Sequence, residues 1–99
     1  MNAPGINLER LFFKIKKALK RSNDAIDEEI KSNIDVCLAE LERVGISVTA
    51  EKPLIDKCCE LYCKAQFNFD NNSERFQLAF EKLRDSLSLS AGYKEQSDE

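Results

Sequence analysis

The chain has 99 residues, 42% of them apolar and 33% charged, with a net charge of −3. That size and balance are ordinary for one soluble globular domain. No apolar run approaches the ~18–20 residues of a membrane span. The opening "MNAPGINLERLF" also lacks the basic start and apolar stretch of a secretory leader, so the expectation is an intracellular chain with reduced thiols and no membrane partner.

The charge is uneven. Residues 1–22 carry six basic side chains (Arg10, Lys14, Lys16, Lys17, Lys20 and Arg21) against Glu9 alone, while the remainder carries nine basic and seventeen acidic groups. A basic element facing something negative is one reading. A lysine face turned to water is the other. In this first segment Leu8, Leu11, Phe12, Ile15, Ala18 and Leu19 recur at steps of three and four, with Asn7 placed to cap, which predicts a helix over about 7–20.

Asn23 or Asp24 is placed to cap a second helix over 24–44. Asp27, Glu28 and Glu29 put negative charge in its first turn, where the helix dipole favours it. Ile26, Ile30, Ile34, Cys37, Leu38, Leu41 and Val44 share one face, and Gly45 suits the left-handed position that closes a helix. "ISVTAEK" then reads as an extended loop. Pro53 fits the first position of a third helix over 53–68. Leu54, Ile55, Cys58, Cys59, Leu61, Tyr62, Cys63, Ala65 and Phe67 make it apolar around most of its circumference, as in the buried centre of a domain. "FDNNS" breaks it. Ser73 is placed to cap a fourth helix over 73–89, with Phe76, Ala79, Phe80, Leu83 and Leu87 on one stripe. Residues 90–99 lose both periodicity and apolar content and read as a flexible tail. The fold class is therefore all-α, a small bundle of about four helices in one domain over 1–99.

Chemistry is sparse. The cysteines, Cys37, Cys58, Cys59 and Cys63, raise zinc and disulfides as possibilities. Yet Cys58 and Cys59 diverge by about 100° on a helix, no histidine is present, and each thiol falls on or beside an apolar stripe. They read as small core side chains, with no metal or cofactor expected. Without histidine or a glycine-rich phosphate loop, no catalytic residue is expected and the chain is not read as an enzyme. "KIKKALKR" has the look of a basic nucleic-acid segment. The domain is acidic overall, however, and the second helix opens on three acids, which argues against specific duplex recognition.

The runs "FKIKKALKRSNDAIDEEIKSNIDVCLAELERVGI" and "PLIDKCCELYCKAQFNFDNNSERFQLAFEKLRDSLSLSAGY" resemble the small head–tail connector proteins of tailed bacteriophages. The likeness lies in a lysine-bearing first helix and a polar turn before "DEEI". It continues through a long second helix ending in glycine, the "YCKA" end of the third helix, a turn bearing Asn and Asp, and a last helix closing on "LSLS…Y". It spans residues 8–93.

The resemblance implies a structural adaptor of phage or prophage that docks beneath the portal once the head is full of DNA. Copies would form a ring of about a dozen, extend the DNA channel and link head to stopper and tail. Its partners would be the portal, the stopper or tail-completion protein and itself, with non-specific proximity to packaged DNA. Its place would be the virion head–tail interface, after assembly in the host cytoplasm. On this reading Leu87, Leu89 and Tyr93 are expected to dock on the portal, and Ile46, Val48 and Thr49 to meet the stopper. Arg10, Lys14, Lys17, Lys20 and Arg21 would face the channel DNA or a neighbouring subunit. Leu89 and Tyr93 folded back on the fourth helix is the competing placement. A small regulatory or DNA-associated protein of a mobile element, using the basic first helix on phosphates, is the competing function.

Overall fold

The structure, a computed structural model, describes residues 6–94. It contains four α-helices: α1 (Leu8–Ala18), α2 (Asp27–Arg43), α3 (Pro53–Gln66) and α4 (Ser73–Ser88). No strand occurs among the described residues, and none of the helices is long and apolar enough to cross a membrane.

α3 is the hub. It packs against α1, α2 and α4, and its closest neighbour is α4. Ile55, Cys58, Cys59, Cys63 and Ala65 are all buried along it. Because α3 meets helices on several sides, it must be apolar around most of its girth, and short thiol side chains let those helices approach. All four cysteines are free and fully buried, packed with Leu11, Ile15, Ile30, Leu41 and Phe80. A hydrogen bond to Cys59, followed by burial, drives the Cys37 thiol far above its usual range. Burial pushes Cys58 and Cys63 each up to about 12. At Cys37, Cys58 and Cys63 the thiolate that metal binding or nucleophilic attack would require is thus disfavoured. Among the described residues no group of three or more His, Cys, Asp or Glu is arranged to hold a metal.

Helix ends follow local chemistry. Asn7 Oδ1 accepts from Arg10 N at 3.0 Å and caps α1. α2 begins at Asp27, three residues later than Asp24, and has no side-chain cap. Lys16 Nζ draws the Asp24 carboxylate away at 3.1 Å, while Asn23 Oδ1 takes the nearby amide of Ala25. Gly45 sits at φ +89° after α2, and Ile46 N and Gly45 N return to the carbonyls of Leu41 and Glu42. That double bond is the left-handed closure glycine favours.

Ser73 is the first residue of α4, not its cap. Its hydroxyl donates to Ala65 O at 2.7 Å, and Asn68 Oδ1, from the intervening turn, accepts from Ser73 N instead. That turn is tight, with Asn68, Asp70 and Asn71 all at positive φ. Short side chains that tolerate the left-handed region make this possible.

α1 closes with the same double bond as α2, but its left-handed residue is Lys20, at φ 59°. A side chain there costs about 1–2 kcal/mol in the left-handed helical region. Lys20→Gly is therefore expected to stabilise the chain by about 0.5–1 kcal/mol despite glycine's greater unfolded entropy. A rise in the urea midpoint at unchanged slope checks it.

Residues 90–94 do not trail away. Tyr93 N and Lys94 N bond to Ser90 O, Ser47 N donates to Tyr93 O at 2.8 Å, and Ile46 and Lys94 form an isolated antiparallel bridge. Lys52 Nζ lies 4.7 Å from the Tyr93 ring centroid and also bonds to Gly92 O. The rest of the expected tail, residues 95–99, lies outside the described residues.

Candidate functional site

The five basic residues expected to act together divide into two groups. Arg10 and Lys14 are one turn apart on α1 and converge on Asp56, in the first turn of α3. Arg10 Nη1 and Nη2 reach the two Asp56 oxygens at 3.2 and 3.1 Å, and Lys14 Nζ reaches Oδ2 at 3.1 Å. Arg10 Nε and Asn7 N also bond to Glu51 Oε2 at 3.3 and 2.8 Å. These two cations are committed within the molecule. Lys17, Lys20 and Arg21 are exposed and make no ion pair among the described residues, so the free positive charge lies at the C-terminal end of α1.

Asp56 is a buried carboxylate, only 6% exposed, and nothing in its sequence context marked it out. Burial alone would raise its pKa. The hydrogen bonds from Arg10 and Lys14 outweigh that and hold it below the usual aspartate range. A depressed folded value stabilises the fold above the unfolded pKa, about 3.9, and that contribution disappears as pH falls through the folded value. Asp56→Asn is expected to cost about 1–2 kcal/mol at pH 7, at the low end because Arg10 and Lys14 are half exposed and can turn to water. The difference between variant and unmodified chain should shrink below about pH 4. Urea melts across that window measure it, and subtracting the variant removes the parallel titration of Asp24 and Glu40, both of which are also lowered.

The segments expected to meet two different partners lie side by side. Leu89, at the end of α4, is 82% exposed, the most exposed of the large apolar side chains among the described residues, whereas Leu87 is core at 3%. Ile46 is fully buried, Val48 is half-buried and Thr49 is exposed. The bond from Ser47 N to Tyr93 O joins the loop directly to the chain end. Tyr93 is thus tied to the α2–α3 loop through its backbone and through Lys52 over its ring, and it is half-buried against the core. Leu87 and Ile46 cannot touch a partner without leaving the core, so only Leu89, Tyr93, Val48 and Thr49 of these two sets are available at the surface.

Two surfaces lay outside the expected residues. A groove of about 350 Å³ runs between α1 and α2, lined by Leu8, Glu9, Phe12, Phe13, Lys31, Ile34 and Asp35. Phe13 is 57% exposed there. On α4, Leu78 is 59% exposed. The signal for both was available: Phe13 and Leu78 are large apolar residues that fall off the buried stripe of their own helix.

A family model described as "Phage connector protein" matches residues 11–94. No curated protein and no solved structure is a match for the chain.

Proposed function

The chain belongs to the phage connector protein family, and on that footing we propose that it is the adaptor of a head–tail connector. In this reading copies form a ring beneath the portal, continue the DNA channel and carry the stopper and tail. The observation that carries it is the family match, which runs from the fourth residue of α1 past the end of α4.

Leu89 and Tyr93 are the proposed portal contacts, with Leu87 as the buried root that fixes the end of α4. An 82%-exposed leucine next to a turn held by a few backbone bonds supports this. Val48 and Thr49 are the proposed stopper contacts, rooted by Ile46. Because the loop and the chain end touch, the two proposed contact surfaces adjoin. Lys17, Lys20 and Arg21 are the proposed channel-facing charges. They are free to meet phosphates, while Arg10 and Lys14 keep their places on Asp56. Three cations on an otherwise acidic domain suit passing contact with DNA rather than tight binding.

Sedimentation with purified portal rings of the same phage tests the proposal. The chain should travel with the portal at a fixed ratio of about one copy per portal subunit. A chain that stays at the meniscus whatever the portal concentration would remove the adaptor reading.

A further inference from the structure

We propose that the α1–α2 groove is the receptor for α4 of a second copy of this chain, with Leu78 as the knob. This deepens the ring reading and rests on it: it names the two faces that meet from one subunit to the next.

The two surfaces are matched in pattern. On α4, Arg75, Leu78 and Lys82 follow at steps of three and four and so share one outward face. All three are exposed, and neither cation has an ion-pair partner among the described residues. The result is an apolar knob with a positive charge one turn to either side. The groove is the reverse. Its lining is apolar at Leu8, Phe12, Phe13 and Ile34, with the carboxylates of Glu9 on its α1 side and Asp35 on its α2 side. Both are exposed, and neither is in an ion pair among the described residues. Lys31 is the cation of the lining, and it lies over the Phe12 ring, 5.0 Å from the centroid.

Arg75 and Lys82 are two turns apart, about 10 Å along a helix, and Glu9 and Asp35 stand on different helices of the groove. A partner helix laid across the groove can set one cation on each side with Leu78 between them. α1 and α4 both pack on α3 and have no substantial contact with each other, so each subunit offers the groove and the knob at once. Such a heterologous contact repeats from copy to copy and closes only if the rotation allows a ring. An apolar centre flanked by opposite charges gives the contact both area and a preferred direction.

Two variants of the full chain test this. Leu78→Glu keeps the groove and removes the knob; Phe13→Glu keeps the knob and spoils the groove. Neither residue is core, so both should melt with the unmodified chain. If Leu78→Glu melts early, Arg75→Glu combined with Lys82→Glu takes its place. Isotope-labelled Leu78→Glu protein is titrated with unlabelled Phe13→Glu protein and amide shifts are followed by NMR. One usable contact remains per pair, so saturating shifts are expected at Leu8, Lys31 and Asp35, and the complex should stop at two chains. Adding Lys82→Glu to the unlabelled partner should weaken binding about tenfold, and Asp35→Lys in the labelled one should recover it. Absence of shifts in the groove, or shifts indifferent to Lys82→Glu, overturns the assignment. Failure of the ring reading looks different: there the unmodified chain neither self-associates nor sediments with portal. If instead Leu78→Glu and Phe13→Glu each form rings on the portal as well as the unmodified chain, the ring stands and only this pair of faces falls.

Discussion

Phe80→Ala is expected to lose about 3–5 kcal/mol, the usual range for emptying a large aromatic site in a core. Phe80 is 1% exposed and holds α4 to α3. Tyr62 of α3 meets it edge-on with ring centroids 5.2 Å apart. The Arg84 guanidinium lies 5.7 Å from its centroid, and Arg84 also reaches across to Glu40 of α2 at 3.3 Å. α4 rests mainly on α3, so little else supports it if this seam is hollowed. A chain of this length has about 5–15 kcal/mol of total stability, and the loss would take a large share of it. It corresponds to a fall in melting temperature of about 15–30 °C. Phe80→Leu, which keeps most of the volume, should cost under about 1.5 kcal/mol. Calorimetry on both variants decides the matter. A loss below about 1 kcal/mol for the alanine variant would mean that α4 is not seated through Phe80.

The second large effect concerns binding. Removing residues 88–99 should abolish sedimentation with portal rings while leaving the helical signal nearly unchanged, because the cut spares the α4 core residues Phe80 and Leu87. It removes Leu89 and Tyr93, together with the backbone bonds on which Tyr93 sits against the loop. Two milder variants separate the contributions. Leu89→Asp alters a residue that is already 82% exposed, so any loss of portal binding reports the contact and not the fold. Tyr93→Ala frees the Lys52 ammonium that lies over its ring. It should loosen the chain end from the α2–α3 loop, seen as faster amide exchange at Ser47. If the truncated chain still sediments with portal, the docking surface lies elsewhere.

Much of the fold was legible because it rests on periodicity. Ile30, Ile34, Cys37 and Leu41 step along one face of α2 and are all buried. The near-continuous apolar girth of α3 announced a central helix. The cysteines read as packing for the same reason, and their burial agrees. Where long-range partners decide, the sequence was silent. Asp24 looked like a cap until Lys16, on another helix, claimed its carboxylate. Ser73 looked like a cap until the Ala65 carbonyl lay within reach of its hydroxyl. Leu8 belongs to the apolar stripe of α1 by spacing, yet it is 49% exposed because it begins the helix at the mouth of the groove. Arg10 and Lys14 looked like free charge for DNA or a neighbouring subunit. Their pairing with Asp56 joins positions more than forty residues apart, and no local pattern encodes that. The contact between the chain end and the α2–α3 loop is of the same kind, since residues 90–94 carry no periodicity to place them. Phe13 and Leu78 are the converse case: both fall off the apolar stripe of their own helix, a local signal that was available but unused, and both are exposed.

The central claim is that this chain joins a filled head to its tail. The most direct measurement uses phage particles made without it. Heads lacking the chain should package DNA and then fail to take tails, and adding the purified protein to those heads should restore joining, with a ring of it visible by electron microscopy beneath the portal. Heads that take tails equally well without the chain, or that recover without any ring at that place, would contradict the account.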